Sequence, residues 1–126
     1  MKSSPTVAVL LIAHGSRRVQ ANQELLDIAA RLIAEGKYPI VEASFLELAE
    51  PNIKKGGSTC VARGADRVLM VPYFLSAGIH LHDDLTEARD ELREAFPGVE
   101  FRLGPALGPH PLLDALVVER IRELEA

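Results

Sequence analysis

The sequence lacks the residues that mark disulfide-rich and membrane-spanning proteins. Its 126 residues include one cysteine and no tryptophan, and only 5% of them are aromatic. The one cysteine, Cys60, cannot form a disulfide within the chain, so we expect a reducing cytoplasm rather than an oxidising compartment. No apolar stretch approaches the roughly 20 residues of a membrane-spanning helix, so no membrane partner is expected.

The sequence also lacks an excess of basic residues. Its 14 Lys and Arg are outnumbered by 18 Asp and Glu, which gives a formal net charge of −4 at pH 7. A protein that binds nucleic acid without sequence preference needs a basic face against the phosphates, so nucleic acid is not an expected partner. The early apolar run Val7–Ala13 is too short for a secretory signal peptide and has no typical cleavage site after it, so no signal peptide is expected.

What remains is the composition of a globular protein, with 48% hydrophobic and 25% charged residues. Both fractions are ordinary for folded domains. A chain of this length has room for one domain, so we predict a single domain over residues 1–126.

Segments that resemble strands alternate with segments that resemble helices. The continuous run Val7–Ala13 is typical of a strand buried on both faces of a parallel sheet. Further strands are predicted at Pro39–Leu46, around Val68–Val71 and at Val99–Leu103, and helices from a cap at Ser16 to a stop at Gly36, from Pro51 toward Arg63, from Leu81 to Ala95 and from Pro111 to Leu124. This order predicts an α/β fold, with a four-stranded, mainly parallel sheet and helices on both faces. The second strand alternates partly in polarity, so it is expected to be less buried than the first.

Three chemically active residues follow successive predicted strands. His14 directly follows the first strand, Glu47 ends the second, and His80 lies in the connection after the third. Ligands of such sheets bind beyond the carboxyl ends of the strands, where these side chains should meet. Two imidazoles and a carboxylate suit Co²⁺, Fe²⁺, Ni²⁺ or Zn²⁺, and three ligands leave positions open, unlike a closed structural zinc site. The alternative is that the histidines only bond backbone carbonyls or helix ends.

Four short motifs carry a resemblance to a known family. In chain order they are His14-Gly15-Ser16-Arg17, Phe45-Leu46-Glu47 with Pro51 soon after, Val71-Pro72-Tyr73-Phe74-Leu75 leading to Gly78-Ile79-His80, and Leu107-Gly108-Pro109-His110-Pro111. Together they resemble the small CbiX/SirB-type sirohydrochlorin chelatases, which belong to the class II tetrapyrrole chelatases. The resemblance covers nearly the whole chain, and the four motifs together are far more specific than His-Gly-Ser alone.

The resemblance implies an enzyme, a lyase that inserts Co²⁺, or in second place Fe²⁺, into sirohydrochlorin for cobalamin or siroheme biosynthesis. The family's metal-binding His, Glu and His correspond to His14, Glu47 and His80. The metal is then a substrate, and no resident cofactor is expected. At least one histidine would accept a pyrrole proton, while Glu47 is either a third ligand or an aid to deprotonation. The choice among cobalt, iron and nickel stays open. Larger members resemble two copies of this unit, so a homodimer that encloses the tetrapyrrole is expected.

Several other residues have a functional and a structural interpretation. Arg17 and Arg18 would bind the substrate's carboxylates or, alternatively, lie solvated on the surface. Ser76 and Gly78 would form a flexible approach to the macrocycle. His82 and His110 are candidates for supporting roles, or for helix capping and solvation. Cys60 is expected to pack as a small apolar residue rather than to act as a nucleophile.

Three other functions remain as alternatives. In a histidine phosphatase His14 would be the nucleophile, but those enzymes have Arg-His-Gly, whereas Ala13 precedes His14 here. A non-catalytic carrier of metal or tetrapyrrole would share every ligand and differ only in turnover. An interaction module would carry the edge histidines for structural reasons alone.

Overall fold

The computed structural model describes residues 4–125, in which strands and helices alternate as predicted. The strands are β1 (Val7–Ala13), β2 (Ile40–Phe45), β3 (Arg67–Pro72) and β4 (Glu100–Leu103), and the helices are α1 (Val19–Glu35), α2 (Ile53–Ala62), α3 (Ile79–Ala95) and α4 (Pro111–Glu125). The strand order is β2-β1-β3-β4, and all three described strand pairs are parallel. The predicted α/β fold class is confirmed. Among the helices of residues 4–125, none is long and apolar enough to cross a membrane.

Strand β1 lies at the centre of the sheet and is buried on both faces. Ala8, Leu10 and Ile12 belong to a core cluster with residues of α2 and α3, whereas Val9 and Leu11 pack with residues of α1. The alternation of side chains along a strand sends these two sets to opposite faces. Helices therefore cover both faces, as predicted, with α1 on one face and α2 and α3 on the other.

Strand β2 is more deeply buried than the sequence predicts. Five of its six residues are buried, so the expectation of a less buried strand was wrong. Partial polar alternation suggests one open face, but here helices lie on both sides. Phe45 packs in the cluster that contains α1 residues, and Ser44 lies on the other side next to α2. The Ser44 hydroxyl donates to the Leu11 carbonyl over 2.9 Å, so its burial leaves its polar atom bonded.

The ends of the first two helices show which local predictions hold. Helix α1 ends at Gly36, which has a left-handed backbone with φ of 76°, as predicted for a stop. Its start is different, because Arg18 occupies the N-cap position without a side-chain cap, and the Ser16 hydroxyl accepts from the Arg18 N–H at 3.0 Å. The predicted Ser16 cap was therefore wrong. Helix α2 begins at Ile53, where Asn52 caps it, rather than at Pro51.

Two glycines inside α2 allow the helix to approach the sheet closely. Glycine in a helix interior costs about 1 kcal/mol relative to alanine, so a packing reason is needed. A Cβ atom on Gly56 would lie 2.9 Å from both the Leu10 Cδ1 and the Ser44 Cβ, and one on Gly57 would lie 2.7 Å from the side chain of Leu92. The glycines therefore set the distance between α2 and its neighbours.

We predict that Gly56→Ala destabilises the protein by about 1 kcal/mol in urea unfolding, because overpacking costs about 1–3 kcal/mol and helix propensity returns only about 1 kcal/mol. Gly98→Ala is the control, since no atom lies within 4 Å of its added Cβ. Its effect should stay within about 0.5 kcal/mol. A Gly56→Ala protein more stable than the wild type would contradict this packing argument.

Candidate functional site

The site lies at the carboxyl edge of the sheet, where the loops after the strands are tied to one another. Backbone hydrogen bonds continue the parallel pairing beyond the strands. They run from Leu46 N–H to Ala13 C=O at 2.9 Å, Glu47 N–H to His14 C=O at 2.9 Å, Tyr73 N–H to Ile12 C=O at 2.6 Å, and Leu107 N–H to Phe74 C=O at 2.9 Å. Each loop is thus held beside its neighbour in the order of the strands, which gives the edge a fixed backbone.

His14 and Glu47 meet at this edge. The His14 Nε2 lies 2.8 Å from the Glu47 Oε1, and the side chains are 58% and 56% exposed. Edge placement in the sequence predicted that these two residues come together, and the structure places them in contact. A carboxylate that accepts from one imidazole nitrogen fixes the tautomer and leaves the other nitrogen with a free lone pair.

The turn at Gly15 brings the pair together. Gly15 has φ of +97°, and a Cβ atom on it would lie 1.8 Å from the Glu47 carbonyl oxygen. Only glycine combines this left-handed backbone with so close an approach. The glycine of the His-Gly-Ser motif therefore permits the contact between the first two loops.

The separation of the pair is that of a hydrogen bond. The His14 Nε2 and the Glu47 Oε1 lie 2.8 Å apart, within the usual range for a nitrogen donor and an oxygen acceptor. An imidazole nitrogen and a carboxylate oxygen are also groups that bind divalent metal ions. The pair therefore offers two ligand atoms to an ion that displaces their hydrogen bond.

His80 does not join this pair in the structure. It lies in the first turn of α3, which begins at Ile79, rather than in the connection expected from the sequence. Its side chain is exposed. Within residues 4–125 no three His, Cys, Asp or Glu side chains are grouped so as to hold a metal ion. The described structure thus assembles two of the three predicted ligands.

The other predicted substrate residues lie on exposed loops of this edge. Arg17 and Arg18 are exposed between β1 and α1. Ser76 and Gly78 are exposed between β3 and α3, and Gly78 is the N-cap residue of α3. All four positions are accessible to a ligand that approaches the carboxyl edge.

A concave pocket of about 540 Å³ adjoins this edge, between the start of α3 and the segment after β4. Small residues form much of its lining, with Gly78, Gly104 and Ala106 among them, and His82 and Arg89 contribute polar side chains. Sequence reasoning did not single out Arg89. The available signal was its position seven residues after His82, which places both on one side of α3.

Exposed apolar side chains form a rim around the same edge. They are Val19, Leu48, Tyr73, Leu75 and Ile79, which are between 40% and 79% exposed. These residues lie in or directly beside the loops after β1, β2 and β3. Their placement in neighbouring loops concentrates exposed apolar side chains at this edge, as is common at binding surfaces. Sequence reasoning named only the Val71–Leu75 segment of this surface.

Two residues with other candidate roles have structural positions. Cys60 is fully buried, and this burial, helped by the negative charge of Glu42, raises the pKa of its thiol to about 12. A thiol in this state is no nucleophile, which confirms the structural interpretation. His110 accepts a hydrogen bond at its Nδ1 from the Leu112 N–H over 3.1 Å, at the start of α4. It therefore caps that helix.

We predict that Gly15→Ala lowers the free energy of unfolding far more than Gly36→Ala does, although both glycines have positive φ. A left-handed alanine costs about 1–2 kcal/mol at either site. No atom lies within 4 Å of a Cβ on Gly36, whereas at Gly15 the backbone carbonyl of Glu47 must move. Urea unfolding should show a loss at least about 2 kcal/mol larger for Gly15→Ala. Equal losses would rule out the close backbone contact.

Known proteins that are similar to this chain in sequence and in structure include sirohydrochlorin chelatases. The sirohydrochlorin ferrochelatase of Arabidopsis thaliana chloroplasts is 39% identical over 114 residues, which cover 90% of this chain and 51% of that protein. The crystal structure of the sirohydrochlorin chelatase SirB from Bacillus subtilis subspecies spizizenii in complex with cobalt superposes with a TM-score of 0.85 at 30% identity, covering 94% of this chain and 50% of SirB. The chain spans about half the length of these relatives.

A relative of similar length also exists. The crystal structure of a CbiX protein from Marinobacter aquaeolei superposes with a TM-score of 0.78 at 26% identity, covering 93% of this chain and 95% of that one. The family model described as CbiX matches residues 8–124, nearly all of the sequence. The chain therefore belongs to the CbiX family.

Proposed function

We propose that the protein is a sirohydrochlorin chelatase, a lyase that inserts a divalent metal ion into the tetrapyrrole. The observation that carries the proposal is the contact of 2.8 Å between His14 and Glu47 at an exposed, apolar-rimmed edge of the sheet. A structural metal site would be closed by further ligands, whereas a substrate ion must enter and leave. Because the pair is exposed, an ion bound to it can leave and enter the tetrapyrrole.

Metal insertion places one divalent ion in the ring and releases two protons from the pyrrole nitrogens. For the ion to bind to the His14 Nε2 and the Glu47 Oε1, their mutual hydrogen bond would open and the proton on Nε2 would pass to Nδ1 or to solvent. As the ion passes into the ring, two pyrrole N–H groups lose their protons, and the lone pairs that released the ion can accept them. An imidazole and a carboxylate are both suitable proton acceptors near neutral pH. Glu47 thus acts as ligand and base in turn.

His80 completes the ligand set in this proposal. It lies at the same edge of the sheet, and its exposed side chain is free to turn toward an incoming ion. Gly78, the N-cap residue of α3, precedes it by two positions, so the start of this helix determines where His80 lies. Three ligands collected only when the ion arrives would give the weak, open binding that turnover needs.

The macrocycle itself is flat, apolar at its centre and surrounded by carboxylates. The apolar rim of the edge is suited to the ring. Arg17 and Arg18 are proposed to bind its carboxylates by charge-assisted hydrogen bonds, with Ser76 and Gly78 lining the approach. Arg89 offers a further guanidinium in the pocket beside α3.

The proposed metal is Co²⁺ first and Fe²⁺ second, in cobalamin or siroheme biosynthesis in the cytoplasm. The relatives support both ions, since one is named a ferrochelatase and SirB was crystallised with cobalt. One His/Glu/His set accommodates both ions, because selection also depends on geometry and supply. The second candidate is a non-catalytic carrier, which would bind the same ligands without accelerating insertion.

We predict that His14→Ala slows metal insertion at least about 100-fold, because it removes both a ligand and a proton acceptor. His80→Ala should slow it at least about tenfold, and Glu47→Gln should resemble His14→Ala while it keeps the side chain's shape. Each rate is followed by the absorption change of sirohydrochlorin with Co²⁺.

The control for these variants is His110→Asn, because asparagine can retain the capping of α4 and His110 lies outside the proposed ligand set. Its rate should equal that of the wild type. If the His14→Ala and His80→Ala proteins both retain full insertion, the reaction does not use these residues. A wild-type chain that binds ion and ring without accelerating their reaction would favour the carrier.

We further propose that the protein acts as a homodimer. Its relatives include chains about twice as long and a chain of similar length, and the resemblance to the family implies that the longer members resemble two copies of this unit. Two units facing each other can enclose a ring that one exposed edge cannot. Sedimentation equilibrium should give twice the 13.7 kDa mass of the chain, and a monomer under assay conditions would refute the proposal.

A further inference from the structure

The segment that carries His14 is held at two points. The Glu47 N–H donates to the His14 carbonyl over 2.9 Å, which ties the segment to the loop after β2. Two residues further on, the Asn22 side chain bonds twice to the backbone of Ser16. Its Oδ1 accepts from the Ser16 N–H over 2.9 Å, and its Nδ2 donates to the Ser16 carbonyl over 2.8 Å. One side chain therefore satisfies both backbone polar groups of Ser16.

Ser16 needs such a partner because the sheet ends before it. The register of β1 with β2 stops at Ala13 and Phe45, and Ser16 is half-buried. Backbone N–H and C=O groups that are withdrawn from water need other hydrogen-bond partners. The Asn22 amide supplies both bonds that a neighbouring strand would otherwise make.

Helix α1 gives Asn22 a fixed position. Leu25 and Ala29 follow Asn22 by three and seven residues, so they lie on the same side of the helix. Both are buried in the core cluster that contains Val9 and Leu11 of β1. The packing of α1 on the sheet therefore also fixes the Asn22 amide.

The hydrogen bonds of the Asn22 side chain do not serve the helix itself. Arg18 occupies the N-cap position, and Asn22 is the fourth residue of α1. Both side-chain hydrogen bonds go to Ser16, which lies outside the helix. Alanine is a better helix former than asparagine, so helix propensity gives no reason for asparagine at this position. The contact with the loop does.

These contacts leave the His14 backbone little freedom. Gly15 lies between the bonded His14 carbonyl and the bonded Ser16 N–H, and a Cβ atom on Gly15 would lie 1.8 Å from the Glu47 carbonyl oxygen. The His14 side chain is 58% exposed, so packing contributes little to its position. The backbone of residues 14–16 therefore determines where the imidazole lies.

We propose that Asn22 is a positioning residue of the candidate site, which holds residues 14–16 so that the His14 imidazole stays beside the Glu47 carboxylate. This inference rests on the proposed function, in which those two side chains bind the substrate ion. Asn22 itself contacts neither the ion nor the ring. A pair of ligands that is held in place before the ion arrives binds it without the entropy cost of ordering the loop.

The first test measures metal binding and catalysis in Asn22→Ala. Loss of a group that orients a metal ligand typically lowers metal affinity or activity about 10- to 100-fold. The dissociation constant for Co²⁺ should therefore rise at least about tenfold in an equilibrium titration, and kcat for insertion should fall at least about tenfold. The KM for sirohydrochlorin should change less than about twofold, because the residues proposed to bind the ring are unchanged. Wild-type Co²⁺ affinity and kcat, or a loss in KM alone, would overturn the proposal.

The second test needs neither metal nor tetrapyrrole. The Glu47 amide bonds to the His14 carbonyl, and the Leu46 amide bonds to the Ala13 carbonyl at the end of β1. Hydrogen exchange of the first amide reports the position of residues 14–16, and exchange of the second reports the stability of the sheet. In Asn22→Ala the Glu47 amide should exchange at least about tenfold faster, and the Leu46 amide should change less than about twofold. No acceleration at Glu47, or equal acceleration at both amides, would contradict a local positioning role.

Gln23→Ala is the matched control. Gln23 follows Asn22 on α1, and its side-chain amide donates to the Asp27 Oδ1 over 2.9 Å. This variant also loses a side-chain amide and its hydrogen bond, but that bond lies within α1 and not to the segment of His14. Its Co²⁺ affinity, its kcat and the exchange of its Glu47 amide should match the wild type. A loss as large as that of Asn22→Ala would show a general effect of changes in α1 and overturn the proposal.

The outcomes separate this inference from the chelatase proposal. A wild-type chain that does not accelerate insertion overturns the chelatase proposal, while the exchange rates still decide whether Asn22 holds residues 14–16. A wild-type chain that inserts the metal no faster than Asn22→Ala does, with clear acceleration by both, overturns the positioning role and leaves the chelatase proposal standing.

Discussion

The parallel pairing of β1 with β2 on one side and β3 on the other is the constraint on which the rest of the structure depends. Because β1 is buried on both faces, its position along the sheet is fixed by packing as well as by hydrogen bonds. Parallel strands end at the same edge, so the loops that follow them are brought together whatever residues they contain. His14 and Glu47 follow two of these neighbouring strands and therefore come into contact.

Much of the fold follows from local sequence patterns. The continuous apolar run Val7–Ala13 has no polar face, and it forms the strand that helices cover on both sides. Gly36 ends α1 because it tolerates a left-handed backbone. Predictions failed where contacts outside the segment itself decide. The burial of β2 depends on two helices. Ser16 does not cap α1 because the helix begins at Val19, with Arg18 at its N-cap position.

The candidate site, too, was predictable from the sequence only in part. The order of strands and residues was enough to predict that His14 and Glu47 lie at one edge. Their contact, however, depends on the backbone of Gly15, and no spacing rule gives the angle of that turn. The start of α3 two residues earlier than predicted moved His80 into a helix. Arg89 was missed because its place in the pocket depends on how α3 packs beside the end of β4.

The carboxyl edge of the sheet and helix α4 both expose apolar side chains. The proposed site is an exposed pair of ligands with an apolar rim, and α4 is a helix without a surface to cover. A substrate ring larger than the edge and a second copy of the chain would each bury part of this apolar surface, which costs free energy when it faces water. The proposed dimer and the proposed substrate would each cover part of these exposed surfaces.

The most direct measurement is the rate at which the purified wild-type chain converts sirohydrochlorin to its metal complex, followed by absorption with Co²⁺, Fe²⁺ and Ni²⁺ in turn. The account predicts clear acceleration over the uncatalysed rate with Co²⁺ or Fe²⁺. No acceleration with any of the three ions would contradict it.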